Sequence, residues 1–337
     1  MPVRPRLTPA IALSRKAIRE VLAELAPKRI LLAVSGGADS LALAAAAVFD
    51  AKKLKIEVVA AVVDHGLQKN SAEVAAKAKQ TLNGLGIEEV FIERVNVATK
   101  GEGLEAAARD SRYKALEKVR KATKSDWIFL GHNQDDQAET VLLGLARGSG
   151  LRSISGMPKI DQSRKLVRPL LDIPRQTLRK ACVDAGISFW DDPHNQDSKF
   201  ARVRVRNLAD ELEKTLGPGF ASALARTAES AAEADELIEE LAKKLVKKAL
   251  VKAGARQINY SIESLAKAKA ALRRKALYLI CQQAGAKNIS RSQVLAVDEL
   301  ITNWHGQKKS SLSGITVERV NNQLVVKSTK PLKPGAC

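Results

Sequence analysis

Leu31-Leu-Ala-Val-Ser-Gly-Gly-Ala-Asp-Ser40 is an apolar run that breaks into Ser-Gly-Gly-x-Asp-Ser and continues as an alanine-rich stretch. The run reads as a buried strand, the break as a turn, and the stretch after it as a helix. A strand-to-helix turn of this kind leaves backbone N–H groups free beside a helix N-terminus, and the two together favour an anion such as phosphate. The turn lacks the lysine of a Gly-x-x-x-x-Gly-Lys-Ser/Thr loop and carries a carboxylate, Asp39, instead. A carboxylate beside phosphates is repelled unless a cation lies between them, so the turn itself points to Mg²⁺. A plain turn of small residues after a strand would account for Gly36 and Gly37, but not for Asp39, Ser35 and Ser40.

Outward from this turn, apolar runs alternate with helical patterns through the first 150 residues. Strands are predicted at Arg29–Val34, Ile56–Val63, Val90–Val95 and Trp127–Leu130. Helices are predicted at Ser40–Lys52, Ser71–Leu85, Leu104–Thr123 and Asp135–Arg147, the third with Leu104, Ala108, Leu116 and Val119 on its apolar side. Such alternation gives an α/β fold with a doubly wound parallel sheet, which binds ligands at the carboxyl ends of its strands. From Arg168 to Leu216 the pattern is helix and loop, with Pro174 at a helix start and Gly186 past its end. Gly217-Pro-Gly219 breaks the chain, so the expected domains are 1–217 and 218–330. The second domain is expected to be smaller and mainly helical. Its predicted elements are a helix of some 30 residues ending at Gly254, helices near Ser264–Ala284 and Ser290–Asn303, and a closing hairpin of Ser310–Val317 and Gln323–Lys327. Residues 331–337 read as a disordered tail.

The chain has 337 residues, 45% of them hydrophobic, and a net charge of +19. Residues 218–337 hold 20 Lys and Arg against 10 Asp and Glu, so the positive excess is denser there than in the first 217 residues. A field of that sign favours polyanions, nucleic acid above all. Only Phe220, Tyr260, Tyr278 and Trp304 are aromatic after residue 218, which argues against a base-stacking platform in that half. No run approaches a membrane span and the start lacks the apolar core of a secretory signal, so a cytoplasmic protein with no membrane partner is expected. Cys182, Cys281 and Cys337 are too scattered for a disulfide frame or a C-x-x-C metal site.

Three further stretches carry chemistry. Asp64-His65-Gly66-Leu67 follows the second strand, and Asp64 and His65 suit a ribose or an adenine edge. Glu105, Arg109, Arg112 and Tyr113 share a helical face by i, i+3 and i+4 spacing, and an arginine there offers paired donors to a phosphate. In Gly131-His-Asn-Gln-Asp-Asp-Gln-Ala-Glu-Thr140, the side chains of His132, Asp136 and Glu139 are expected on one face of a helix. That trio suits Mg²⁺, a cationic amine or proton transfer better than zinc. Asp135 reads as a cap for that helix or as the group that orients His132. Arg147-Gly-Ser-Gly150 follows as a loop able to close over a substrate. Arg202, Arg204 and Arg206 stand at alternate positions; in an extended chain they would form one track for phosphates, and in a helix they would spread.

Taken in order over residues 28–207, these motifs resemble the tRNA(Ile)-lysidine synthetase family of PP-loop ATP pyrophosphatases. The Asp135-to-Thr140 block, the Arg147-Gly-Ser-Gly150 loop, Arg168-Pro-Leu-Leu171 and Asp191-Asp-Pro-His-Asn195 make the resemblance more specific than the glycine turn alone. Residues 218–330 resemble the family's small domain in layout. The resemblance implies that ATP and Mg²⁺ are used to join free L-lysine to C2 of the wobble cytidine of an isoleucine tRNA with a CAU anticodon. An adenylated base is the implied intermediate, and AMP and pyrophosphate the by-products. It implies ATP binding by Ser35, Gly36, Gly37, Ala38, Asp39, Ser40, Asp64, His65 and Gly131, with Asp39 toward Mg²⁺. Arg112, with Arg109, would steady the transferring phosphate. His132, Asp136 and Glu139 would serve the activated base and the lysine amine, which Asp136 and Glu139 would bind. Contacts to tRNA are expected from Arg202, Arg204 and Arg206 and from Arg273, Arg274 and Lys275. A homodimer is compatible with this reading.

The chain departs from the family where Asn133 replaces a frequent second histidine, Ser153 a glycine and Val203 an asparagine. A thiolating relative of the 2-thiocytidine type would bring paired cysteines that this sequence lacks. A non-catalytic nucleotide-binding module would need no acid cluster opposite the turn. Amidation of a small metabolite would leave the uneven charge without a purpose.

Overall fold

The computed structural model describes residues 7–64, 66, 70–95, 104–148, 150–192, 199 and 201–331, with the backbone alone at 104–106. His65, residues 193–198 and the expected tail beyond residue 331 lie outside the described residues, as does the side chain of Glu105. The chain divides into two compact units: residues up to Ala146 with Gly156–Ala228, and Arg147–Ser155 with Glu229 onward.

The first unit is built on a six-stranded sheet ordered β3-β2-β1-β4-β6-β5. Its strands are β1 (Arg29–Val34), β2 (Glu57–Asp64), β3 (Val90–Arg94), β4 (Trp127–Leu130), β5 (Ile160–Asp161) and β6 (Leu166–Val167). All neighbours are parallel except the short edge strand β5. Five consecutive residues of β1, Ile30 to Val34, are buried, as a strand covered on both faces must be. Alternation sorts them: Ile30, Leu32 and Val34 join one core with Ile18, Leu43 and Leu178, while Leu31 and Ala33 join the other with Leu116 and Val119.

Helices α2 (Ala38–Leu54), α3 (Ser71–Gly84) and α4 (Leu104–Ala122) make the crossovers, within two residues of their predicted spans. Helix α5 (Gln134–Arg147) follows β4. The sequence reading omitted α1 (Pro9–Leu25), although Thr8 caps it and Pro9 opens it, both ordinary start signals. Helix α7 (Arg175–Asp184) follows Pro174, after the single-turn helix α6 (Leu151–Ile154). Helix α8 (Ala201–Leu216) is an α-helix, so of the two arrangements considered for the three alternate arginines the helical one forms. The order of strands reverses between β1 and β4, so the crevice above their carboxyl ends is where a doubly wound sheet receives ligand.

In the second unit, most of helix α9 (Phe220–Ala249) is followed by a five-stranded antiparallel sheet ordered β7-β8-β11-β10-β9. Strand β7 (Leu250–Ala253) replaces the predicted end of the long helix, and strand β8 (Gln257–Ser261) lies beyond Gly254 in a span for which no element is predicted. Strands β9 (Ser310–Leu312) and β10 (Ile315–Val320) split the single predicted strand at Gly314, whose φ is +86°. Strand β11 (Gln323–Ser328) closes the sheet across Asn321 and Asn322. Helices α10 (Ile262–Ala266), α11 (Ala270–Gln283) and α12 (Arg291–Thr302) share a core with the sheet around Tyr260, Leu277, Ile280, Val297 and Val317. Gly217 and Gly219 separate α8 from α9, while the compact units part further along, within α9. Among the described residues, no helix is long and apolar enough to cross a membrane.

Candidate active site

The chain leaves β1 at Ser35 and turns at Gly36, whose φ of +83° suits glycine, before Gly37 caps α2. The Ser40 hydroxyl closes the turn by donating to the Gly37 carbonyl at 2.9 Å and accepting from the Ser35 N–H at 3.2 Å. The Trp190 N–H donates to the Gly36 carbonyl at 3.0 Å, fastening the segment after α7 across the turn. Asp64, at the end of β2, is buried and accepts from the Gly66 N–H at 2.9 Å. His65 beside it is among the residues not described.

At the end of β4 the chain passes so close to α2 that a Cβ on Gly131 would lie 3.0 Å from the Asp39 carbonyl and the Ser40 Cα. Asn133 follows, fully buried. Its side-chain oxygen accepts the Asp136 N–H at 3.0 Å while the Asp136 carboxylate accepts the Asn133 N–H at 3.0 Å, a reciprocal cap at the start of α5. The same amide donates to Asp39 at 3.0 Å. One side chain therefore ties the glycine turn to the acidic helix. Sequence reasoning treated Asn133 only as a departure from a family pattern and missed this bridge. Its position three residues before Asp136 is the capping signal that would have shown part of it.

The acidic residues do not act as one set. His132 lies ahead of α5 instead of on it, because the helix starts after the Asn133 cap. Asp135 caps a different helix, accepting the Arg175 N–H at 2.8 Å at the first turn of α7. Glu139 is buried and takes an ion pair from Arg206 at 2.7 Å and another from Arg175 at 3.3 Å. Arg175 also reaches Asp136 at 3.2 Å. Glu139 is thus neutralised by two guanidinium groups. Arg175 was not anticipated at all. Its only sequence signal is its position directly after Pro174, which a helix start explains equally well.

Two cavities meet at the turn, and Ser35, Gly37, Arg112 and Trp190 line both. One, of about 370 Å³, has apolar walls from Val62, Val74 and Leu116, with Asp64 at its edge. The other, of about 500 Å³, is polar and is lined by Asp39, His132, Asp136, Arg175, Arg202 and Arg206. Arg112 stands between them, and Arg109 lines neither. Arg202 and Arg206 face the polar cavity one helical turn apart, while Arg204 donates to the Lys199 carbonyl, so the three spread as a helix requires.

Burial, and then the neighbouring Asp136 charge, push the Asp39 carboxyl up to about 6. Its Oδ1 is buried with no partner. This free hard oxygen fits a magnesium ion, which would relieve the repulsion from Asp136. Among the described residues no group of three His, Cys, Asp or Glu is placed to hold a metal, so phosphate oxygens and water would complete the shell. Burial, reinforced by Arg168, Arg112, Arg109 and Arg202, holds the His132 imidazole well below its ordinary range, and it is neutral at pH 7.

Residues 12–212 match the model of the PP-loop domain, and residues 261–325 that of the TilS substrate binding domain. The tRNA(Ile)-lysidine synthase of Leifsonia xyli subsp. xyli is 46% identical over 296 residues, 88% of each chain. That of Rhodococcus erythropolis is 45% identical over 313 residues, 92% of each. The chain belongs to the tRNA(Ile)-lysidine synthase family. Of solved structures, the U34-tRNA thiolase NcsA from Methanococcus maripaludis is similar at a TM-score of 0.56 and 21% identity. The similarity covers 66% of this chain and 80% of that one, and it concerns the fold.

In this member of the synthase family, two of the basic residues expected to meet tRNA are spent internally. Arg273 is buried and bonded to Asp298 at 2.5 Å, and Lys275 is paired with Asp235 at 2.9 Å and with Glu239 at 3.2 Å. Arg274 also pairs with Asp298 at 2.9 Å but keeps its side chain 41% exposed. The sequence pattern of three adjacent cations cannot distinguish a docking patch from the inner face of a helix that carries its own counter-ions.

Proposed function

We propose that this chain is a lysidine synthase that uses ATP and Mg²⁺ to attach free L-lysine to C2 of the wobble cytidine of an isoleucine tRNA with a CAU anticodon. The observation that carries this reading is the Asn133 bridge, which puts the glycine turn and the Asp136 helix on one pair of joined cavities. An activated base can then be made and consumed without leaving the site.

The apolar cavity suits a nucleoside, with Asp64 at its polar edge. The triphosphate takes the backbone donors of residues 36–40 and the N-terminus of α2. Asp39 would hold a magnesium ion through its free oxygen, and the ion would supply charge neutralisation for the phosphates. The cytidine O2 attacks the α-phosphorus, pyrophosphate leaves, and Arg112 stabilises the negative charge that develops between the cavities. In the second step the lysine ε-ammonium gives a proton to the Asp136 carboxylate, the freed amine nitrogen forms a bond to C2, the C2–O bond breaks with AMP leaving, and the nitrogen's excess proton passes to water.

Asp136, lining the polar cavity and partly exposed, receives the ammonium group. Glu139 acts as a positioning residue that fixes Arg175 and Arg206. A neutral His132 suits hydrogen bonding to the base or the incoming amine better than storage of a proton. Residues 218–330, taken as the smaller basic domain, supply further contacts to RNA.

Purified protein with ATP, Mg²⁺, labelled lysine and the cognate tRNA should yield AMP, pyrophosphate and labelled tRNA. Lysine incorporation into no tRNA at all would overturn the assignment. Sulfur transfer, the second reading, has no support among the described residues: Cys182 and Cys281 are both buried, and burial pushes each thiol up to about 12.

A further inference from the structure

Behind Arg112 lies a second group of cations that the nucleotide cavities do not use. Arg109 precedes Arg112 by one turn of α4, and its guanidinium carbon sits 5.5 Å from the centre of the Tyr113 ring. Arg168 directly follows β6, the neighbour of the strand that leads to His132. It is buried, donates from Nη1 to the Pro158 carbonyl at 2.7 Å, and leaves Nε without a partner. Burial pushes the Tyr113 phenol up, but the charges of Arg109, Arg168 and Arg112 outweigh it and hold the group below its ordinary range. Among the described residues, no carboxylate lies within ion-pair distance of Arg109, Arg112 or Arg168.

Clustered, partly buried guanidinium groups without a carboxylate are costly in the free protein and cease to be so when an anion arrives. Arg112 answers to the nucleotide. Arg109 and Arg168 line neither cavity and belong to a different anion. We infer that Arg109 and Tyr113, with Arg168 behind them, form a seat for a backbone phosphodiester of the RNA strand beside the nucleotide being modified. A base brought to the α-phosphate carries its own phosphodiesters into this neighbourhood, and a guanidinium with a phenolic donor matches the non-bridging oxygens of one of them. The inference rests on the RNA substrate assigned above.

The test compares Arg109→Gln and Tyr113→Phe with the unaltered chain, measuring the Kd for ATP and the Kd for an isoleucine tRNA transcript across a salt series. Arg109→Gln should weaken transcript binding about tenfold near 0.1 M salt and lower the slope of log K against log salt by about one. ATP affinity should stay within about twofold. Tyr113→Phe, which removes a neutral donor, should weaken binding several-fold with the slope intact. A methylphosphonate at the phosphate flanking the target cytidine should reproduce the Arg109→Gln loss and add nothing to it. An unchanged slope, a loss that falls on ATP instead, or full additivity with every flanking methylphosphonate would overturn the site. Because binding is read without turnover, an unaltered chain that fails to add lysine would count against the activity, and the salt slope would still judge the seat.

Discussion

Asn133 serves two partners with one amide: it caps α5 by accepting the Asp136 N–H, and it donates to Asp39. Replacement by serine keeps an oxygen for the cap but is too short to reach Asp39, whereas alanine loses both. Asn133→Ala should therefore cost about 1 kcal/mol of stability and lower Tm by roughly 2–4 °C. Asn133→Ser should restore most of that Tm while pyrophosphate release stays at least tenfold down. Equal recovery of both in the serine variant would refute the bridge.

Asp39 makes the opposite trade. Its carboxyl is raised from the ordinary 3.8 to about 6 by burial and by Asp136, so the folded chain binds a proton more tightly than the unfolded one. Stability is then lost as pH rises through that window, by about 2–3 kcal/mol once the group is ionised. Without nucleotide or Mg²⁺, Asp39→Asn should melt above the unaltered chain at pH 7.5, with the gap shrinking toward pH 5. The same variant should release no pyrophosphate. A gap that fails to narrow on acidification would show that the buried charge is not the cause.

At the scale of elements, the contact between β4 and α2 depends on the missing side chain of Gly131. A methyl there would meet backbone, which has nowhere to turn, so Gly131→Ala should displace the turn and cost about 1–3 kcal/mol together with most ATP affinity. Titration with ATP measures it, and an unaffected Kd would mean that the elements are free to part. Helix α11 gives the contrasting case. Arg273→Ala leaves Asp298 buried with Arg274 alone and should destabilise the second unit by about 3 kcal/mol. The folded fraction should bind RNA with an unaltered salt slope; a slope lower by one would return Arg273 to the RNA.

What the sequence disclosed follows from the same physics. Strands β1 to β4 and their crossover helices were legible because each is a long stretch of one periodicity ended by turn residues. Strands β7 and β8 were not, since Leu250-Val-Lys-Ala253 continues a helical pattern and pairs only through the remote β11 by way of β8. The site residues on the glycine turn and at the start of α5 were visible as motifs. The division of labour among Asp135, Asp136 and Glu139 was not, because it is set by Arg175 and Arg206, which come from other helices.

On the scale of the whole molecule, a strand order that reverses between β1 and β4 creates one crevice, and the two motifs farthest apart in chemical character enter it from either side. On the proposed reading, the nucleotide's α-phosphate and the acceptor of the lysine ammonium would address the same base in turn, which no arrangement on separate surfaces would permit. The positive excess of the chain, denser after residue 218, suits an RNA that must be held while both steps occur. The most direct measurement uses ATP labelled at the α-phosphate with Mg²⁺ and the cognate tRNA, first without lysine and then with it. The label should enter the RNA in the first stage and be released quantitatively as AMP in the second. A label that never enters the RNA, or one that stays there after lysine is added, would contradict a shared adenylated intermediate.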